Sequence, residues 1–345
     1  MLRTTVVHGL IYSALSVLVV INTGCITIDL WNGGGPEAQL VETVVHGDKG
    51  PKILLVEIDG VIGVSNDVGF LFGGDEYSMV ARVREVLDLA RRDDDVRAIL
   101  LRIDSPGGTA TASEQIYTEI ARYRKERGVP VMAQFLGTAA SGGYYVAMAA
   151  DTIQAHPTSI TGSIGVIFSS LSFAGLMEKI GVEDQTITGG RYKDAGSPYR
   201  RLGRVEREQF QSIVDDLHVR FQEIVVIGRP DLSPDQVAKL SDGRIFSAQQ
   251  ALENGLIDRI GTLEDAVGAL ERRLGVEQSR VVSYHRPREI RRNLYTRAMR
   301  MPSLGGGGSE LSAEAWALRR LEQMLARPGF QYLWWPGLSG ATPRH

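Results

Sequence analysis

Cysteine is almost missing from this sequence. Cys25 is the single example in 345 residues, so no intrachain disulfide can form and a cysteine-based metal site has no basis. Lysine is scarce too: Lys49, Lys52, Lys125, Lys179, Lys193 and Lys239 are six of the 38 basic Lys and Arg residues, and all the rest are arginine. An excess of one charge is also missing. The formal net charge is -3, and no basic field points to nucleic acid. Histidine is poorly placed for catalysis. His8 lies in an amino-terminal apolar stretch, His46 in a polar linker, His218 on a long helical pattern, His285 at the head of an arginine-rich tail and His345 at the carboxyl end. His156 alone sits inside the body, before Pro157, with no orienting carboxylate nearby in sequence. No block of the chain is duplicated in tandem.

What is present is the composition of a globular protein, 43% apolar and 23% charged, long enough for one large domain with extensions. Met1-Leu2-Arg3 gives a positive start, Leu10 to Ile21 is apolar, and Asn22-Thr23-Gly24-Cys25 follows. That order describes an export signal. Gly24-Cys25 also resembles the end of a lipoprotein lipobox, which implies acylation of Cys25. Asn22 departs from that pattern, where an aliphatic residue is usual. The alternative is an uncleaved anchor from Val6 to Ile28. Either reading places residues 1–28 at a membrane and the body outside the cytoplasm. Residues 29–51, with Gly33-Gly34-Gly35-Pro36, read as a flexible tether.

In the body, strand patterns alternate with helical ones. Ile53 to Ile58, Val96 to Ile103, Val131 to Leu136, Thr152 to Ala155 and Asp184 to Thr188 read as strands. Tyr77 to Arg91, Thr111 to Arg127, Leu176 to Ile180, Glu206 to Ile227, Leu232 to Leu240, Ser247 to Asn254 and Leu263 to Leu274 read as helices. Gly63 to Gly74 and Thr161 to Val166 read as loops. The expected class is α/β, a largely parallel sheet flanked by helices.

Three segments carry chemistry. Ser141 stands where an apolar strand becomes an Ala-rich helix, with Gly142 and Gly143 behind it. A serine there can be a nucleophile, and the Gly142 amide can serve as an anion-stabilising donor. An ordinary N-cap serine with packing glycines gives the same pattern. Ser105-Pro106-Gly107-Gly108 ends another strand, where open α/β sheets gather ligand contacts, although a simple turn reads alike. Lys193 is a lysine amid Arg191, Arg200, Arg201 and Arg204, in a chain that nearly always chooses arginine. Lysine can lose its proton and act as a base, whereas arginine cannot; a solvated surface lysine is the alternative.

Together, Asp104-Ser105-Pro106-Gly107-Gly108, Ala140-Ser141-Gly142-Gly143-Tyr144-Tyr145, Thr161-Gly162-Ser163-Ile164-Gly165-Val166 and Tyr192-Lys193-Asp194-Ala195-Gly196-Ser197-Pro198 resemble the signal peptide peptidase A family of serine proteases. The resemblance covers Lys52 to Ser283, the expected peptidase domain 52–283. It implies a ClpP/crotonase-like fold of repeated β-β-α units and a Ser–Lys dyad without metal or organic cofactor. By resemblance Ser141 is the nucleophile, Lys193 the general base, Ser163 the residue that orients the lysine and Gly108 an oxyanion-hole donor. A single copy of the fold implies the short class, a ring of identical subunits in which Lys193 serves a neighbour's Ser141. The implied substrates are remnant signal peptides and other unfolded or apolar segments.

Residues 284–345 fall outside the resemblance. Arginines crowd His285 to Arg300, Gly305 to Gly308 break the chain, and Leu311 to Leu325 reads as a helix before Phe330, Trp334 and Trp335. A solvated tail with a packed helix and a membrane-surface or docking extension both fit. Two other functions share the fold. An idle membrane-associated scaffold would need neither Ser141 nor Lys193, and labelling by a serine-directed probe separates it. A crotonase acting on acyl-thioesters would use the backbone oxyanion hole but not the serine–lysine pair.

Overall fold

Residues 39–63, 78–287, 289–296, 299–300 and 330–334 are described by the computed structural model of the chain. Its central strands are the unbroken apolar runs, as expected where a parallel sheet is covered on both faces. The chain enters as Val41–His46 (β1), then Lys52–Asp59 (β2), helix Met79–Ala90 (α1), Val96–Ser105 (β3), Gly107–Thr109 (β4) and helix Ala110–Arg127 (α2). Val131–Ala140 (β5) leads directly into Gly142–Ala147 (α3), Thr152–Ala155 (β6), Ile160–Gly162 (β7) and Ile167–Phe168 (β8). Helices Ala174–Ile180 (α4), Arg204–Gly228 (α5) and Pro234–Leu240 (α6) follow, with Ile245–Ser247 (β9), Ala248–Glu253 (α7), Arg259–Ile260 (β10) and Leu263–Leu274 (α8). Arg280–His285 (β11), Glu289–Ile290 (β12), Met299–Arg300 (β13) and Phe330–Leu333 (β14) complete the described elements.

The nine-stranded sheet runs β1-β11-β2-β3-β5-β6-β10, with β7 pairing both β5 and β9. Only β1 on β11 and β9 on β7 are antiparallel. Successive strand residues face opposite sides, so each central strand feeds two cores. Leu54, Val56, Ile58, Ile99, Leu101 and Ile103 pack under α1, α2, α3 and α5. Ile53, Leu55, Ala98, Leu100 and Met132 pack against Leu263, Ala266, Val267 and Leu270 of α8. On that second face the sheet also buries charge. Arg102 meets the carboxylates of Glu57 and Asp59 and donates to the carbonyls of Leu294 and Thr296, and Arg291 closes the cluster on Glu57.

Four expectations need correction. Asp184 to Thr188 is not a strand. Asp184 Oδ1 accepts the Thr186 N–H at 3.0 Å, so local side-chain bonding replaces a ladder, and Ile187 stands 97% exposed. The carboxyl half of the stretch read as a tether is β1, whose β-branched residues extend the open edge of β11 with Val44 opposite Val282. Within the Thr161–Val166 loop, Thr161 and Gly162 belong to β7, held in register by the Thr161 hydroxyl donating to the Ala139 carbonyl at 2.6 Å. His285, read as the start of the tail, is the last residue of β11, its ring bonded to Thr43 Oγ1 at 2.9 Å. The amino-terminal export stretch with Cys25, the loop beyond Gly63 and the Leu311–Leu325 helix lie outside the described residues.

Candidate active site

Three adjacent strands end together. Ser105 at the end of β3 lies opposite Ala139 of β5, and Ala140 lies opposite Gly162 of β7. The residues that follow, Pro106 to Gly108, Ser141 and Ser163, therefore gather at the carboxyl edge of the sheet, where α/β folds bind ligands. Ser141 has φ 53 and ψ -118, a conformation costing a non-glycine residue about 1–3 kcal/mol. It is held there from both sides. Its N–H donates to Gly162 O at 2.8 Å, and its carbonyl accepts the Tyr145 N–H at 2.9 Å, which starts α3. A sharp strand–turn–helix of this kind presents a serine hydroxyl beyond the sheet edge. Ser163 also has positive φ, 51, and its N–H donates to Arg244 O at 2.7 Å. Neither serine makes a side-chain hydrogen bond to another described group.

The Ser105–Thr109 turn is locked from the neighbouring strand end. Ser105 Oγ donates to Gly60 O at 2.6 Å and accepts the Gly107 N–H at 3.1 Å. Ile62 brackets Gly108, donating to Gly107 O and accepting from Thr109 N, both at 2.9 Å. A Cβ on Gly108 would lie 1.8 Å from Ile62 O. Gly107 has φ +97, and a Cβ there would lie 2.6 Å from the nitrogen of Gly142. The two backbones that carry the expected oxyanion donors thus abut, which only glycine at 107 and 108 allows. The Gly142 N–H is the first amide of α3 and has no intrahelical acceptor.

Lys193 is not joined to this cluster within the protomer. No residue from Ser169 to Lys193 is buried, and Lys193 is exposed in a turn, its N–H donating to Gly190 O at 3.2 Å. No side-chain hydrogen bond or ion pair of Lys193 to a described residue is present. The turn itself is anchored. Arg200 donates to Asp194 Oδ2 at 2.6 Å and to Glu206 Oε2 at 2.8 Å, at the start of α5. Those hydrogen bonds hold the Asp194 and Glu206 carboxyls below the usual carboxylate range. His156 lies apart, its Nδ1 paired with Thr158 Oγ1 at 3.0 Å. That local turn agrees with reading it as a loop residue.

An aromatic cluster around Tyr145, one turn beyond Ser141 in α3, escapes sequence reasoning. Tyr145 is fully buried and its hydroxyl donates to Glu114. Burial works against the Glu114 charge, but hydrogen bonds from Arg220 and Tyr145 hold its carboxyl below the usual range. Phe221 of α5 stands 4.9 Å from the Tyr145 ring. Tyr332, from β14, packs on both rings, 5.2 Å from Tyr145 and 4.8 Å from Phe221. The tail aromatics were the one available signal, but nothing in their local spacing says which surface they meet.

The comparisons with known proteins decide the family. The model for peptidase family S49 matches residues 123–277, and the Clp protease model matches residues 70–162. A protein from Enterococcus faecium that carries the name signal peptide peptidase SppA is 36% identical over 243 residues, 70% of this chain and 70% of that protein. This chain belongs to peptidase family S49. The S49 family is one of serine-type peptidases, and the Clp-like match agrees with the largely parallel sheet flanked by helices. Protease 4 of Haemophilus influenzae is 34% identical over 246 residues, 71% of this chain and 38% of that protein. A Methanocaldococcus jannaschii protein named as a protease is 38% identical over 199 residues, 58% of this chain and 63% of its own length. Among the described residues of this S49 chain, no helix is long and apolar enough to cross a membrane, and no group of three or more His, Cys, Asp or Glu is placed to hold a metal ion.

Proposed function

We propose that this chain is a membrane-associated serine endopeptidase in which Ser141 and Lys193 form a dyad that hydrolyses remnant signal peptides and other unfolded or apolar segments. The observation that carries this reading is the strained Ser141, beside the abutting Gly107–Gly108 and Gly142 backbones. Lys193 in its unprotonated form takes the Ser141 proton as Oγ attacks the scissile carbonyl. The Gly108 and Gly142 amides stabilise the oxyanion, one such donor typically contributing about 3 kcal/mol. The intermediate collapses as the lysine returns the proton to the leaving amine. Water, deprotonated by the same lysine, then hydrolyses the acyl-enzyme. Ser163, beside Ser141 across the β5–β7 register, orients the amine.

The exposed position of Lys193 supports a dyad completed between identical subunits in a ring. Leu171, Leu176, Ile180 and Ile187, in the stretch of chain that leads to it, are more than half exposed, apolar side chains suited to a neighbouring copy. The amino-terminal stretch with Cys25 attaches the peptidase to the membrane, with the catalytic domain on the extracytoplasmic side. Ser141→Ala and Lys193→Ala are each expected to abolish hydrolysis of an apolar peptide while leaving assembly size unchanged. Co-refolding the two inactive variants should restore part of the activity, because some interfaces then pair an intact Ser141 with an intact Lys193. Full cleavage by either purified variant refutes the dyad.

A further inference from the structure

Two helices start at the carboxyl edge of the sheet, where the site lies. α2 begins at Ala110, directly after Gly108 and the cap residue Thr109, and α3 begins at Gly142, directly after Ser141. Each helix carries one side of the reacting gap at its foot: the proposed oxyanion donor Gly108 on α2, the nucleophile on α3. The two feet touch. A Cβ on Gly142 would collide with Ser113 Oγ, which itself donates to Thr109 O at 3.0 Å. α3 has six residues, too few for its own hydrogen bonds to fix its direction.

One turn above the gap the helices are cross-linked. Tyr145 of α3, whose N–H donates to Ser141 O at 2.9 Å, donates its hydroxyl hydrogen bond to Glu114 Oε2 of α2. Arg220 of α5 grips Glu114 in turn, with Nη2 on Oε1 at 2.9 Å and Nε on Oε2 at 3.3 Å. Thr118 Oγ1, one turn further along α2, reaches Oε1 at 3.4 Å. Burial opposes the Glu114 charge, but these bonds outweigh it and hold the carboxyl below its usual range. An ionised carboxylate only accepts, so the direction of the Tyr145 hydroxyl is fixed. The Tyr145 ring is held as well, edge-on to Tyr117 at 5.7 Å. The dyad mechanism uses none of these side chains.

We propose that Glu114 is a positioning residue: clamped by Arg220, it holds Tyr145 and through it sets Ser141 against the Gly108 donor at the foot of its own helix. This rests on the peptidase reading and adds residues outside the dyad and the oxyanion hole. Ser141 needs such a hold, because its φ of 53 is strained and a strained backbone persists only where its surroundings over-determine it. What the clamp sets is the distance between nucleophile and oxyanion donor, not the binding of the peptide. Its loss therefore appears in kcat and leaves KM in place.

The test uses the full-length chain and compares Glu114→Ala, Glu114→Gln, Tyr145→Phe and the double variant Glu114→Ala/Tyr145→Phe with wild type. The readouts are kcat and KM on one apolar peptide, the rate at which a fluorophosphonate labels Ser141, and hydrogen exchange at the Tyr145 amide. Glu114→Ala and Tyr145→Phe should each lower kcat and the labelling rate by about tenfold or more, with KM within about twofold, since a small misplacement of reacting groups is costly. Glu114→Gln keeps an acceptor for the Tyr145 hydroxyl and should stay within about threefold of wild type. The double variant should be no slower than the slower single one, because both changes cut the same bond. Exchange at the Tyr145 amide should quicken about tenfold in both single variants, while the amides of α8, in the other core, keep their rates. Wild-type kcat in either folded single variant overturns the proposal, and so do additive losses in the double variant or a Glu114→Gln as slow as Glu114→Ala. Exchange that rises equally in α8 also overturns it, because that marks a general loosening. If Glu114→Ala does not fold, Tyr145→Phe, which deletes one oxygen atom, decides by the same kcat and exchange criteria. Failure of wild type to take the label at Ser141 would instead remove the peptidase reading, and the exchange arm would still decide the clamp.

Discussion

Ser141 and Gly108 show what a residue can carry that its type does not announce. A serine between strand and helix reads as either a cap or a nucleophile, and φ 53, fixed by the Gly162 and Tyr145 hydrogen bonds, sets Ser141 apart from the extended N-cap residues of α1 and α2. Ser141 stands at the N-cap position of α3, but its side chain makes no cap hydrogen bond. The glycines were legible as turn residues. Their tight approach was not, because Ile62 and Tyr332 are distant in sequence. Gly108→Ala forces a Cβ to 1.8 Å from Ile62 O and must move the strand that offers the Gly108 amide. Its kcat should fall by about 10²–10³, the loss typical of one oxyanion donor. Steady-state kinetics beside a circular dichroism spectrum checks this: unchanged kcat in a folded variant removes Gly108 from the oxyanion hole.

Elements were legible where one chain segment decides its own period. The buried strands β2, β3 and β6 and the helix α8 follow their apolar patterns closely. Elements decided by a distant partner were not: β1 needs β11, β7 needs β5 and β9, and β14 needs β4 and β8. Asp93-Asp94-Asp95 illustrates the same limit. It reads as a helix breaker, yet Asp93 Oδ2 accepts from Lys52 Nζ and from the Tyr284 hydroxyl, each at 2.7 Å, tying the turn before β3 to β2 and β11. Burial opposes the Asp93 charge, but these bonds outweigh it and hold the carboxyl below its ordinary value. A lowered folded-state pKa means the unfolded chain binds protons first on acidification. The stabilisation is thus complete above about pH 5 and is lost as pH falls through the folded-state pKa. Asp93→Asn should lower Tm at pH 7, by the equivalent of about 1–2 kcal/mol, and the difference should shrink as acidification protonates the folded-state carboxyl. Thermal melts across pH test it; a Tm difference that grows on acidification contradicts the linkage.

At the scale of the whole molecule, the sheet is covered by its own two cores, whereas Lys193 of the proposed dyad stays exposed and makes no hydrogen bond to Ser141. The Ser169–Lys193 stretch has no buried residue, and α4 buries nothing. A helix with no buried residue gains little from its own chain, since most helical stability comes from packing an apolar face. A second copy laid on Leu176, Ile180 and Ile187 would supply that packing and bring Lys193 to a neighbouring Ser141. Leu176→Asp with Ile187→Asp should therefore dissociate the assembly and lower kcat together. Melting of the two main cores should change by no more than about 1 kcal/mol, because neither residue touches them. Sedimentation with parallel kinetics reads both effects. A monomer with full activity would require the dyad to close inside one subunit, whereas an intact assembly with full activity would place the subunit contact elsewhere.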